Sequence, residues 1–213
     1  MTVDVNLSEE EQVEALKKWW KENGKSLIGG VVLGLGLVFG WRAWVQHNQT
    51  VAEQASYQFE QLTNAVAAGA NDSAVKMAEQ LISEHADSSY AVFAALNIAK
   101  VKLEQGDNAG ARIDLKWALE HSSEPSLKQI ASLRLARVML DAGDIDSASA
   151  LVSQTAVAAY SGELAELRGD IALAQGDKEK ARQAYEEALA NLDGNTAILK
   201  MKLDDLAVAS SKP

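Results

Sequence analysis

Hydrophobic side chains divide the chain into one continuous apolar run and a long series of amphipathic segments. The run covers residues 26–41, SLIGGVVLGLGLVFGW, and contains no charged side chain. From residue 51 onward, apolar positions recur at the spacing of amphipathic helices, and the only prolines of the chain are Pro125 and Pro213. We therefore predict an all-α protein with an N-terminal transmembrane helix, followed by a solenoid of helical hairpins.

The apolar run reaches the length of a membrane span when its aromatic flanks are included. Its 16 residues make about 24 Å of helix, and a bilayer core is about 30 Å thick. Tryptophans stand on both flanks: Trp19, Trp20, Trp41 and Trp44. Because such aromatic belts mark the two interfaces of a bilayer, we predict a transmembrane helix over residues 26–45.

Two other interpretations of the run remain open. A cleaved signal peptide needs small residues just after the apolar segment, where Trp41, Arg42 and Trp44 stand instead. A buried core helix of a soluble protein is compatible with so short a run. The lysine-rich flank and the glycines inside the run favour a membrane span over both alternatives.

Positive charges beside the run predict its orientation. A single arginine, Arg42, follows it closely, and four lysines precede it: Lys17, Lys18, Lys21 and Lys25. By the positive-inside rule, we expect a single-pass inner-membrane protein whose tail of residues 1–25 is cytoplasmic and whose C-terminal domain is periplasmic in a Gram-negative bacterium. Within the tail, Ser8–Glu11 forms a capping box for a short amphipathic helix, which either rests on the membrane or belongs to a plain solubilising tail. Asn23-Gly24 predicts the end or a bend of that helix.

The glycines of the run form two stripes along the predicted helix: Gly29, Gly30, Gly34, Gly36 and Gly40. The pairs Gly30–Gly34 and Gly36–Gly40 match the G-x-x-x-G spacing that lets membrane helices approach closely. Glycine is also common in transmembrane helices that lack such contacts. We interpret the stripes as a helix-packing surface, for either a second copy of the chain or a different protein.

A Gly-Asp dipeptide recurs beyond the run at spacings of 37 and 33 residues, as Gly106-Asp107, Gly143-Asp144 and Gly176-Asp177. The glycine supplies the left-handed position after one helix, and the aspartate caps the next helix. Small residues at fixed offsets let the paired helices pack closely, and Gly69 begins a fainter fourth copy. The pattern resembles the tetratricopeptide repeat, although the tryptophan and glycine of its consensus are mostly absent. We predict a helical stalk over residues 46–65 and repeats over residues 66–213, which end in a capping helix with a more polar outer face.

Charge and composition limit the possible functions. The chain carries 30 acidic and 20 basic side chains, and residues 1–45 hold six and five of them, which leaves a net charge of −9 beyond residue 45. This excess argues against nucleic acid, which needs a basic surface. The chain has no cysteine, and His47, His85 and His121 lack the spacing of metal ligands. We therefore predict no enzymatic activity, no metal and no cofactor.

The anchor and the repeats together resemble one known family. The segment EEEQVEALKKWWKENGKSLIGGVVLGLGLVFGWRAW is similar to the anchor of the YfgM family, the ancillary subunits of the bacterial Sec translocon. The similar motifs are Gln12–Lys18, Glu22–Lys25, Gly29–Gly40 and Trp41–Trp44, then LRLARV at 133–138, ELRGDIAL at 166–173, QGDKEKAR at 175–182 and MKLDDL at 201–206. The resemblance covers essentially the whole chain.

The resemblance implies a non-enzymatic adaptor that associates with the SecYEG channel and with PpiD, a membrane-anchored periplasmic chaperone. It implies that the adaptor helps to pass exported proteins to periplasmic chaperones. The alternatives are a generic envelope-assembly scaffold or a cytosol-facing repeat cochaperone that holds acidic peptide tails. Such cochaperones carry lysine and asparagine at the fifth and ninth consensus positions. Here the fifth positions are Leu96, Leu133 and Glu166 and the ninth are Lys100, Arg137 and Asp170, so the pattern fails.

Overall fold

The computed structural model describes residues 9–154, 157–192, 194 and 196–210. These residues form α-helices and one 3₁₀ turn, and no strand occurs among them, so the predicted all-α class is confirmed. The chain separates into two compact units, with the boundary between Glu53 and Gln54. The helices are α1 (Glu9–Ala67), α2 (Asn71–Glu84), α3 (Ser89–Glu104), α4 (Asn108–His121), α5 (Pro125–Asp141), α6 (Ile145–Gln154), α7 (Ser161–Ala174), α8 (Lys178–Asn191) and α9 (Ala197–Ser210).

Helix α1 continues without interruption through Asn23 and Gly24. The predicted end of the N-terminal helix at this dipeptide is therefore wrong. The Asn23 side chain donates a hydrogen bond to the carbonyl oxygen of Trp19 at 3.1 Å, and the Trp20 ring covers Gly24, where an added Cβ would lie 3.3 Å away. Glycine costs about 1 kcal/mol inside a helix, and the helical segments on both sides outweigh this cost. Ser8 of the predicted capping box lies outside the described residues.

In the first unit, the apolar run keeps its side chains exposed. Leu37 is 67% exposed and Phe39 is 65% exposed, and no side chain from residue 25 to residue 44 is buried. Among the described residues, α1 is the one helix that is long and apolar enough to cross a membrane. A core helix of a soluble domain would bury this surface, so that interpretation does not fit the structure.

In the second unit, helices pair as hairpins: α3 with α4, α5 with α6, and α7 with α8. Each core cluster combines three successive helices, beginning with residues 54–67 of α1 together with α2 and α3, and ending with α7, α8 and α9. The alanines that follow the Gly-Asp dipeptides are fully buried at the helix crossings: Ala111, Ala148 and Ala181. Packing between neighbours in sequence defines a solenoid, and the predicted hairpin architecture is confirmed.

The turns between paired helices share one geometry. The glycine in each of these turns has a positive φ angle of similar size: Gly69 (70°), Gly106 (82°), Gly143 (79°) and Gly176 (83°). At the first Gly-Asp turn, the amide of Asp107 donates to the carbonyl oxygen of Lys102 at 2.8 Å, which closes the end of α3. The Asp107 side chain accepts a hydrogen bond from the backbone amide of Gly110 at 2.9 Å, and this bond caps α4. Asp177 caps α8 in the same way.

Helix α9 packs on the last hairpin through one face. Leu199 and Leu206 are buried in the cluster that α7, α8 and α9 share. The opposite face was expected to be polar, but it carries Ile198 and Met201, which are 69% and 65% exposed. The apolar positions of this helix are therefore not confined to the side that faces the repeats.

Candidate interaction surfaces

The first unit offers an open helix surface at its glycines. An added Cβ would meet no other atom within 4 Å at any of the five glycines of the run: Gly29, Gly30, Gly34, Gly36 and Gly40. Their backbone is accessible to a second helix, as G-x-x-x-G contacts require. The tryptophans on its flanks, Trp19, Trp20, Trp41 and Trp44, are exposed as well, and the Trp41 and Trp44 ring centroids lie 5.2 Å apart.

The second unit has a groove along the first helices of its hairpins. We call it the inner groove; it consists of two adjoining cavities of about 400 and 620 Å³, which share Arg137 and Asp141. The smaller cavity lies between α3 and α5, and the larger one is lined by α5, α7 and α9. The leucines that stand three residues before the turn glycines line the groove: Leu103, Leu140 and Leu173. The three leucines stand at the same offset from the turn glycine in each repeat, and this regularity alone does not reveal the surface that they form.

A charged cluster lines the larger cavity of the inner groove. The Lys202 Nζ of α9 donates to Glu166 at 2.8 Å and to the two carboxylate oxygens of Asp170 at 2.7 and 2.9 Å. The Tyr185 hydroxyl of α8 donates to Asp170 at 2.8 Å, and Lys202 Nζ lies 5.5 Å from the centre of the Tyr185 ring. These contacts connect α7, α8 and α9.

The cluster shifts the ionisation of two of its members. Burial, and next the hydrogen bond to Asp170, raises the pKa of Tyr185, so its hydroxyl stays protonated as a donor. Burial alone lowers the pKa of Lys202, but its hydrogen bonds to Asp170 and Glu166 outweigh burial and raise it. Sequence reasoning missed this cluster, although acidic residues at the fifth and ninth positions of one repeat were a signal for it.

The turn residue Asp144 also connects neighbouring hairpins. Its carboxylate accepts a hydrogen bond from Arg112 of α4 at 2.7 Å. A hydrogen bond with Ser147, and next the one with Arg112, lowers the pKa of Asp144. Asp144 therefore joins the turn between α5 and α6 to the preceding hairpin.

Within the described residues, no group of three or more histidine, aspartate or glutamate side chains is placed to hold a metal ion. His121 instead stacks on Trp117, with ring centroids 4.2 Å apart. Trp117 is half-buried and packs against the core that α3, α4 and α5 share. The surfaces described here are suited to packing and ion pairing.

A helix long and apolar enough to cross a membrane, followed by helical hairpins, defines a helical repeat protein with a candidate membrane span. A family model described as tetratricopeptide repeat-like domain matches residues 17–208, which is most of the chain. The repeat fold is therefore shown by sequence comparison as well as by packing.

Curated relatives identify the family within this class. The chain is 37% identical over 206 residues to the ancillary SecYEG translocon subunit of Haemophilus influenzae, over 94% of this chain and 98% of the relative. It is 31% identical over 208 residues to the protein of the same name from Escherichia coli, over 97% of this chain and 100% of the relative. The chain belongs to the family of ancillary SecYEG translocon subunits, so the resemblance to the YfgM family is confirmed.

Proposed function

We propose that this chain is a non-enzymatic adaptor of the Sec translocon, anchored in a bacterial inner membrane by residues 26–45. The observation that carries the proposal is an exposed apolar helix followed by a repeat domain, in a chain that is similar over nearly its full length to proteins named for the SecYEG translocon. An exposed apolar helix is stable in lipid, and repeat grooves serve to hold other proteins.

In this proposal, residues 1–25 lie in the cytoplasm and the repeats lie in the periplasm. The four lysines before the run support this orientation, because positive charge is retained on the cytoplasmic side. The repeats hold a PpiD-like, membrane-anchored chaperone and help to hand exported proteins to the periplasmic chaperone network. The glycine stripes pack against a membrane helix of the translocon complex.

Co-purification tests the adaptor function and the helix contact together. The tagged full-length chain is purified in mild detergent, and the recovered SecY is measured. Recovery is expected for the unchanged chain, and replacing Gly36 and Gly40 with isoleucine should lower it about fivefold or more, because the added side chains keep the helices apart. Leu33→Ile and Leu37→Ile are the matched control at the same spacing. Absence of SecY from the unchanged preparation contradicts the adaptor function, and equal recovery from both variants contradicts the glycine contact.

Cysteine labelling tests the orientation. The chain has no cysteine, so single replacements at exposed sites report one position each. Ser123→Cys, between α4 and α5, should react with an impermeant maleimide in intact spheroplasts. Glu14→Cys should react only after lysis. The reverse pattern would place the repeats in the cytoplasm and contradict the proposal.

A further inference from the structure

The two cavities of the inner groove differ in whether their charges are already paired. In the larger cavity, Lys202 contacts both Glu166 and Asp170, so these two carboxylates already hold a cation from the same chain, whereas the third carboxylate, Asp141, lines both cavities. A basic segment of another protein would have to displace Lys202 from both carboxylates. Glu166 and Asp170 are therefore not available to a basic ligand while Lys202 stays in place.

The smaller cavity is open and apolar at its base. Leu96, Leu115 and Val138 line it, and Leu103 at its edge remains 37% exposed. A volume of about 400 Å³ accommodates one large aliphatic side chain with part of its backbone. Burial of such a side chain would cover the exposed leucine, which favours an apolar ligand group here.

The cations of the smaller cavity are not equivalent. Arg134 donates to the carbonyl oxygen of Leu96 at 3.3 Å, and Lys100 lies 3.7 Å from Glu104. Arg137 is exposed and makes no hydrogen bond or ion pair within the part of the chain that the structure describes. Its guanidinium lies where the two cavities meet, so it is free to bind a carboxylate beside the apolar pocket.

We propose that the α3–α5 cavity binds a short segment of a partner protein in which a leucine-sized side chain stands next to a carboxylate. The apolar side chain enters the cavity, and the carboxylate pairs with Arg137. The inference rests on the proposed adaptor function in taking the ligand to be a protein segment. Charge complementarity supports it, because three cations, Lys100, Arg134 and Arg137, line the smaller cavity with a single carboxylate, Asp141, while Glu166 and Asp170 farther along the groove contact Lys202.

The test uses the full-length chain in lipid nanodiscs and three fluorescein-labelled ten-residue peptides. The peptides share one sequence and differ only in the residue after a central leucine, which is glutamate, glutamine or lysine. Binding is measured by fluorescence anisotropy, and empty nanodiscs correct for adsorption to lipid. The glutamate peptide should bind best, and Arg137→Glu should weaken its binding about fivefold or more, because a charge-assisted hydrogen bond becomes a repulsion. Arg168→Glu is the matched control, since Arg168 is also an exposed arginine on a first helix but lies outside the inner groove.

A second pair of variants tests the apolar part of the site. Leu103→Ala should weaken binding of the glutamate peptide, whereas Ile113→Ala, at an exposed position of α4 outside the groove, should not. The proposal is overturned if no peptide binds the unchanged chain, if the lysine peptide binds as tightly as the glutamate peptide, or if Arg137→Glu and Arg168→Glu have equal effects. The assay contains no translocon, so its result is independent of SecY co-purification, and failure of either proposal can be recognised separately.

Discussion

Glycine has opposite roles in the two units of the molecule. In the apolar run, an added Cβ at Gly36 would meet no other atom of the chain. In the repeats, an added Cβ at Gly169 of α7 would overlap the ring of Tyr185, which is fully buried. The repeat glycine is thus explained by the packing of its own chain, whereas the glycines of the run border open space that an added Cβ could occupy without contact.

The largest expected effect is that of a methyl group at the buried glycine. Gly169→Ala should lower the free energy of unfolding by about 3 kcal/mol, because the Tyr185 ring must leave its packed position. Gly36→Ala is the matched control and should cause no loss, since its surroundings are open and alanine favours the helix. Urea unfolding of the full-length chain in detergent, followed by far-UV circular dichroism, measures both. Equal stabilities of the two variants would contradict the contrast between the units.

Removal of the shared cation should have the next largest effect. Lys202→Met leaves Glu166 and Asp170 partly buried without their cation and should cost about 2 kcal/mol of unfolding free energy. Lys200→Met changes an exposed lysine of the same helix and serves as the control. The same urea titration applies. If both variants lose the same stability, the cluster does not hold α9 on the last hairpin.

A turn glycine should show a smaller cost. Gly106→Ala places a Cβ at a φ of 82° and should lower the free energy of unfolding by about 1 kcal/mol. Gly34→Ala, in the helical run, should leave it unchanged. Thermal unfolding of the two variants side by side compares them. A stable Gly106→Ala variant would show that the turn relaxes away from the left-handed conformation.

The smallest expected effect is a loss of stability at alkaline pH. The folded chain raises the pKa of Tyr185 above its ordinary value of 10.0, so the stability from the protonated hydroxyl is complete below that pH and is lost as the pH rises toward the folded pKa. Lys202, whose pKa is also raised, acts in the same direction. At about pH 10.5, the loss from Tyr185 should be below about 1 kcal/mol. Tyr185→Phe should have a flatter stability profile above pH 10.0 than the unchanged chain, and equal slopes would exclude this contribution.

These contrasts also show which features the sequence could predict. Gly-Asp dipeptides indicate turns because the left-handed glycine and the capping aspartate act within a few residues of each other. The helix end predicted at Asn23-Gly24 was wrong because a dipeptide signal is equally local. It carries no information about the helical segments on both sides of it. Lys202 could not be assigned, because its partners Glu166 and Asp170 lie 36 and 32 residues away in sequence. Each cavity of the inner groove is lined by three helices, so the regular spacing of Leu103, Leu140 and Leu173 in the sequence could not reveal the shape of the groove.

The three-helix core clusters have a consequence for the order in which this domain becomes native. The clusters cover residues 55–101, 92–138, 133–171 and 165–206 in turn, so each closes with a short stretch of chain and overlaps the next. Contacts of short sequence range form quickly, and neighbouring repeats support one another. A chain that emerges from its N-terminus can therefore complete one hydrophobic core before all the residues of the following core have emerged.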